Sequence, residues 1–246
     1  MAQERKAALA WARNIGSDTR LLQFTTEYDE LAFAGGQYVI VHAGMPEGGG
    51  KATKRAYSIL TSDRERRSFQ IAVRKIAQGG GSNFMHALPE GATLSFSGPW
   101  GKYRIDGSPG QRALILATDT GITAALGLVQ SQDFGTWSRE SSIVWLVESD
   151  QYFLPEAFVR ERAAGCCSLE VIHLPPAGTP ERTAWFENWS PQFIQGKQPD
   201  AAFLSGDGLL LFSFRDLLLA RGMSADQIRL ETFFNHKKAA EMVASS

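Results

Sequence analysis

Residues 106–110 read DGSPG, and the apolar rhythm differs on the two sides of that stretch. Before it, short β-like runs (AALAWA, RLLQFTT, GQYVIVHA, RAYSILT, SFQIAVRKI and ATLSFSG) are separated by turn signals such as NIGSD, AGG, GMPEGGG and SDRER. Six short strands broken by glycine and polar turns predict a small antiparallel barrel or sandwich. One helix candidate, SNFMHAL at 82–88, interrupts them directly after Gly79, Gly80 and Gly81. After the DGSPG stretch, ALILA is followed by helical ITAALGLVQSQ, IVWLVE by LPEAFVRERAA, LEVIHL by ERTAWFENWSPQFI, and AAFLSG by LLFSFRDLLLARG; IRLETFF closes the series. Strands alternating with helices imply a parallel sheet covered on both faces. The expected architecture is an antiparallel six-stranded β-barrel over residues 1–106 followed by a doubly wound parallel-sheet α/β domain over residues 111–246.

Composition narrows the chemistry. Hydrophobic residues at 43% and charged residues at 21% of the 246 positions suit a globular protein. No apolar run approaches the ~18 residues of a membrane span, and MAQERKAALAWARN lacks the apolar core of a signal peptide, so the expected setting is cytoplasmic without membrane insertion. The two cysteines, Cys166 and Cys167, are adjacent, which suits neither a disulfide framework nor the thiolates of an iron–sulfur cluster. Redox chemistry would therefore use a bound organic cofactor. The histidines at 42, 86, 173 and 236 have no metal-ligand spacing, and no metal site is expected.

Charge is uneven. Residues 1–106 carry 14 Lys/Arg against 10 Asp/Glu, a balance of +4, and the remainder carries −5. Much of the positive excess lies in 51–75, at Lys51, Lys54, Arg55, Arg64, Arg66, Arg67, Arg74 and Lys75. Such a cluster is either a solvated basic face or a dock for an acidic partner or a phosphate; nothing in it suggests nucleic acid.

Five stretches carry candidate chemistry. ATDTGITAAL (117–126) runs from a strand through a glycine-containing turn into a helix, a common way to hold a phosphate, yet Asp119 places a carboxylate in that turn. RAYS (55–58) sets a cation, an aromatic and a hydroxyl on one strand; alternation points Arg55 and Tyr57 to one face and Ser58 to the other unless the strand ends there. GGGSNF (79–84) is a glycine-rich turn opening a helix, with Ser82 expected as the N-cap. GPWGKY (98–103) is a rigid turn ending the last barrel strand. SGDG (205–208) ends a strand at the carboxyl edge, where open α/β sheets bind ligands.

Taken in order, GQY, RAYS, GGGSNF, GPWGKY, ATDTGIT, SGDG and LETF resemble the ferredoxin:NADP reductase family from about residue 10 to residue 234. That resemblance implies an FAD-binding barrel followed by a pyridine-nucleotide domain. It assigns Arg55 to the flavin pyrophosphate, Tyr57 to packing along the flavin and Ser58 to the neighbourhood of its reactive nitrogen. Ala56 lies between them. Gly79, Gly80, Gly81 and Ser82, with Asn83 and Phe84, match the segment that holds the same pyrophosphate; an Arg and a helix end together favour FAD over FMN. GQY and GPWGKY resemble framing turns with a structural role.

In the second half, the resemblance makes Thr118, Asp119, Thr120, Gly121, Thr123, Ser205 and Gly206 the NAD(P) contacts. Ser58, Ser205 and Glu231 take the catalytic positions, and Phe233 covers the flavin until nicotinamide displaces it. Asp119 stands where the family has Gly, Ala124 where it has Pro, and Ser205 where it commonly has Cys. In isolation, Asp119 would cap the helix that begins near Gly121. The Ser-Arg pair used for the NADP 2′-phosphate is missing after VIHL, with Arg182 as a substitute, so NADPH or NADH can be the co-substrate.

The function implied is a flavin-dependent oxidoreductase that passes electrons between NAD(P)H and a separate one-electron carrier, an acidic ferredoxin or flavodoxin. Two alternatives stand beside it. One is a siderophore-linked ferric reductase, since siderophore-interacting proteins also carry an acidic residue in the nucleotide turn. The other is a flavin-binding electron-transfer subunit with weakened nucleotide use.

Overall fold

The computed structural model describes residues 4–27, 30–43, 53–77, 79–106, 112–136, 140–149 and 153–234. Most of the predicted DGSPG boundary, the GGG at 48–50, Lys51 and the tail from residue 235 onward lie outside these residues.

The first half forms a six-stranded antiparallel sheet from β1 (Glu4–Ile15), β2 (Thr19–Thr26), β3 (Tyr38–Ala43), β4 (Thr53–Ser58), β5 (Ser68–Arg74) and β6 (Thr93–Trp100). Their order is β4-β3-β6-β1-β2-β5. The sheet curls until its edges approach: Leu60, just past β4, donates its N–H to Gln70 O of β5 at 2.8 Å. Period-two patterning produces the curl's core, because Leu22, Phe24, Val39, Val41, Phe69, Ile71 and Phe96 all point inward and are buried. Each such side chain contributes about 1.5–3 kcal/mol.

Helix α1 (Gly80–Ala87) seals one end of the barrel. It starts two residues earlier than the sequence pattern predicts, and the N-cap position is Gly79, with no side-chain cap. Ser82 lies inside the first turn, where its Oγ donates to Gly79 O at 2.9 Å and accepts from the Ile76 N–H at 3.1 Å. At the other end Arg20 caps the helix, donating to the carbonyls of Met85, His86 and Leu88 at 2.8–2.9 Å.

The second half is a five-stranded parallel sheet of β7 (Ala113–Thr118), β8 (Ser142–Val147), β9 (Ser168–His173), β10 (Ala201–Asp207) and β11 (Ile228–Phe234), in the order β11-β10-β7-β8-β9. Four helices cover it: α2 (Ile122–Val129), α3 (Glu156–Ala163), α4 (Pro180–Phe193) and α5 (Gly208–Ala220). Alternate residues of one strand feed different cores. Ala113, Ile115 and Ala117 pack with α2, α3 and the barrel's Leu21, Leu60 and Tyr103, whereas Leu114 and Leu116 pack with α4 and α5. The sheet is thus doubly wound.

The halves meet without a gap. A Cβ added at Gly127 of α2 would lie 2.2 Å from the Ile59 carbonyl oxygen, and one at Gly35 would lie 2.4 Å from the Gly127 carbonyl oxygen. Only glycine permits this backbone-to-backbone approach. Asp63 adds a polar tie, accepting from the N–H groups of Gly35 at 3.3 Å and Gln132 at 2.9 Å. Gln130 Nε2 donates to Leu60 O at 2.7 Å.

Candidate active site

A cleft of about 390 Å³ opens where the barrel meets the carboxyl edge of the parallel sheet. The barrel wall carries Arg55, Ala56, Tyr57 and Ser58 at the end of β4, together with Gly79 and Ser82 at the start of α1. Because β4 ends at Ser58, side chains that would alternate along a longer strand all reach the cleft: Arg55 is exposed, Tyr57 half-buried and Ser58 buried. Gly81 lies beneath this wall, since a Cβ there would sit 2.6 Å from Arg55 Cγ. Gly80 is exposed beside it, with no heavy atom within 4 Å of a would-be Cβ.

The opposite wall comes from the second half. Thr120 and Thr123 follow β7, and Glu231, Thr232 and Phe233 end β11. Glu231 is registered opposite Ser205, and the pairing slips by one residue between Gly206 and Asp207, leaving Phe233 as the extra residue of a bulge. Bulges re-aim side chains, which explains how Glu231, Thr232 and Phe233 all line the cleft. Burial raises the Glu231 carboxyl above its ordinary range. Tyr38 rises through burial and then the Glu231 charge, and burial pushes Tyr57 up to about 12 against the opposing Arg55.

Five other residues of the predicted set sit behind the cleft surface. Thr118 and Ser205 are fully buried, and Asp119, Gly121 and Gly206 are also buried. Thr118 Oγ1 accepts from the Asp207 N–H at 2.7 Å, and Ser205 Oγ donates to Gly121 O at 2.9 Å. Asp119 has no capping bond; its turn adopts φ +51°, and its carboxylate pairs with Arg182 instead. Arg182 is only 2% exposed, so it is unavailable to a 2′-phosphate as predicted from sequence. The reason is chemical: a buried carboxylate needs a counter-charge more than a helix end needs a cap.

Several cleft residues carry no sequence signal of their own. Tyr38 lies within GQY, which reads as a framing turn; Val73 and Arg74 continue β5; Ile76 is 56% exposed after it. Phe153 is buried with φ +59°, a conformation uncommon for a bulky residue. Among the described residues no cluster of three or more His, Cys, Asp or Glu could hold a metal ion, and no helix is long and apolar enough to cross a membrane.

Residues 6–105 match the oxidoreductase FAD-binding domain model. This first half of the chain is thus similar to the FAD-binding domain of oxidoreductases. A relative named ferredoxin–NADP reductase B, from Sorangium cellulosum, is 33% identical over 132 residues, 53% of this chain and 52% of its own. Other curated relatives include NADH-cytochrome b5 reductase 1 of Dictyostelium discoideum, 28% identical over 119 residues, 48% of this chain and 41% of its own. The chain thus spans about half or less of the curated relatives it matches. Among solved structures, an Amycolatopsis cytochrome P450 reductase superposes with a TM-score of 0.72 at 20% identity, covering 95% of this chain and 71% of that one. That likeness shows a shared fold.

The cleft fits the flavin that the matched FAD-binding domain implies. A guanidinium at Arg55 and the N-terminal N–H groups of α1 are matched to a diphosphate. The faces of Tyr57, Tyr38 and Phe233, with exposed Ile76, suit a flat ring system.

Proposed function

We propose that this chain is an FAD-dependent oxidoreductase that draws electrons from a reduced nicotinamide nucleotide and passes them to a separate one-electron carrier. The observation that carries this reading is the convergence of Arg55, Tyr57, Ser58 and the α1 N-terminus with Glu231 and Phe233 across one cleft. Bound FAD supplies two-electron acceptance and one-electron release. The chain's own residues hold and orient. Arg55 and α1 would hold the diphosphate, Tyr57 and Tyr38 would flank the ring system, Ser58 offers a hydroxyl at the end of β4, and Glu231 offers a carboxyl near Tyr38. Phe233 excludes water from the face that the nicotinamide ring must approach. Close contact and alignment dominate such transfer, so positioning is the main contribution of the protein.

The carrier is a separate acidic protein, a ferredoxin or flavodoxin. Lys54, Arg64, Arg66, Arg67 and Lys75 are all exposed around the cleft-forming strands, a surface suited to steering an acidic partner. Cys166 and Cys167 are free and packed against the core, and burial pushes Cys167 up to about 12, so it remains a thiol. Free thiols suit a cytoplasmic setting.

Asp119 in the nucleotide turn favours a second reading, a ferric reductase acting on siderophores. A siderophore-interacting protein of Acinetobacter shares the fold, with a TM-score of 0.71 at 10% identity and coverage of 99% and 96% of the two chains. One experiment separates the readings. The purified chain is loaded with FAD, reduced anaerobically with NADH or NADPH, and mixed with ferredoxin, flavodoxin or a ferric chelate. Faster, salt-sensitive oxidation by the acidic proteins supports the first reading; faster oxidation by the chelate supports the second.

A further inference from the structure

The strand order β11-β10-β7-β8-β9 reverses at β7, whose successor β8 lies on one side and β10 on the other. At such a switch point the carboxyl ends of the strands splay to form the crevice in which open α/β sheets bind ligands. Here that crevice is filled by the protein itself. Asp119 comes from the end of β7, Glu148 from just past β8, Asp207 from the end of β10, and Arg182 from the first turn of α4.

Arg182 is the centre of this cluster. It hydrogen-bonds the Asp119 carboxylate, lies 3.7 Å from both Glu148 and Asp207, and donates to Pro175 O at 3.0 Å. Asp119, Arg182 and Asp207 are each 3% exposed or less. Two atoms inside the cluster, Asp119 Oδ1 and Arg182 Nε, have no hydrogen-bond partner. Three carboxylates around one guanidinium leave an excess of negative charge where a diphosphate would have to enter.

One backbone donor of the turn is also spent. The Ile122 N–H bonds back to Asp119 O and Thr120 O. Trp145 Nε1 donates to Asp119 O at 2.9 Å, fixing the positive-φ turn from beneath. A Cβ at Gly121 would lie 2.1 Å from the Ser205 carbonyl oxygen, so the helix end faces strand backbone at that point rather than open space. What remains accessible from this edge is the ring end of the cleft, at Thr120, Thr123, Glu231 and Phe233.

We propose that the Asp119–Arg182 cluster is a specificity element that removes the diphosphate subsite, so that this chain selects a reduced nicotinamide by its ring half alone. The adenylate half adds no affinity, and a 2′-phosphate neither helps nor defines the donor. The proposal rests on the nicotinamide-dependent reading above, and its test keeps the two apart.

FAD-loaded protein is titrated calorimetrically with ADP-ribose, which carries the adenylate and diphosphate without the nicotinamide. In parallel, flavin reduction is followed with NADH, NADPH and reduced nicotinamide mononucleotide. The expected result is no ADP-ribose binding at millimolar concentration and half-saturation by the three donors within about threefold of one another. The variants Asp119→Gly and Asp119→Asn both tolerate the positive φ and free Arg182 from its bonded carboxylate; each should gain about tenfold or more in ADP-ribose affinity. Micromolar ADP-ribose binding to the unaltered chain, or NADH binding tenfold tighter than the mononucleotide, overturns the proposal. Failure of all three donors to reduce the flavin overturns the nicotinamide reading, while ADP-ribose binding to the unaltered and variant chains still decides whether the cluster removes the subsite.

Discussion

The Ser205 hydroxyl, on β10, donates to the Gly121 carbonyl at 2.9 Å and lies 3.4 Å from the Tyr103 hydroxyl, tying the sheet to the turn before α2 behind the cleft. Replacement of Ser205 by Ala leaves two buried polar groups poorer in partners, which costs about 1–2 kcal/mol. Urea unfolding of FAD-free protein should show that loss, with the rate of flavin reduction by NADH changed by less than about threefold. A large rate loss at unchanged stability would return Ser205 to the reacting centre.

Asp119 makes stability depend on pH. Burial drives its carboxyl from 3.8 up to about 6, Arg182 opposes the rise, and Glu148 and Asp207 add to it. Between those values the folded state holds more protons than the unfolded chain, so this contribution is present at low pH and is lost as pH rises to about 6.5. A shift of two units corresponds to about 3 kcal/mol. Subtracting the pH–stability curve of Asp119→Asn from that of the unaltered protein should give a difference falling by about 1–3 kcal/mol from pH 4 to pH 7. A flat difference would contradict it.

Gly127→Ala tests the junction between the halves. The new methyl would lie 2.2 Å from a backbone oxygen of Ile59, and neither side is a flexible side chain. Overpacking of this kind costs about 1–3 kcal/mol or more, despite the better helix propensity of alanine. A lowered melting temperature together with weaker FAD binding is expected, because the same displacement separates the two cleft walls.

Gly81→Ala separates ligand binding from folding. Alanine suits a helix better than glycine by up to about 1 kcal/mol, yet its Cβ would press on Arg55 Cγ at 2.6 Å. Arg55 must then swing away from the α1 N-terminus. Fluorescence titration of the apoprotein should show FAD affinity reduced about tenfold with stability unchanged or slightly raised, since a charge-assisted contact of this kind contributes about 1.5–3 kcal/mol.

Local patterning carried most of the architecture. Period-two runs such as YVIVHA and strand–helix pairs such as ALILA with ITAALGLVQ became β3, β7 and α2 because burial on one face or both is written directly into adjacent residues. The cleft was legible where its parts are contiguous, as in RAYS and GGGSNF. It was illegible where chemistry depends on separation: Asp119 and Arg182 are 63 residues apart, and nothing near either one indicates a buried pair. Ser82 misled for a related reason. A serine before an apolar helix reads as a cap, but the glycines ahead of it let the helix begin sooner, turning its hydroxyl back onto Gly79 and Ile76.

The glycine contacts of α2 with Ile59 and Gly35 also bear on turnover. Backbone welded to backbone leaves no hinge along that line, so the cleft does not work as a jaw that shuts on each substrate. The distance between the barrel wall and the sheet edge is fixed once, during folding. Any closing over a ligand would have to come from side chains at the mouth, such as Ile76 and Phe233.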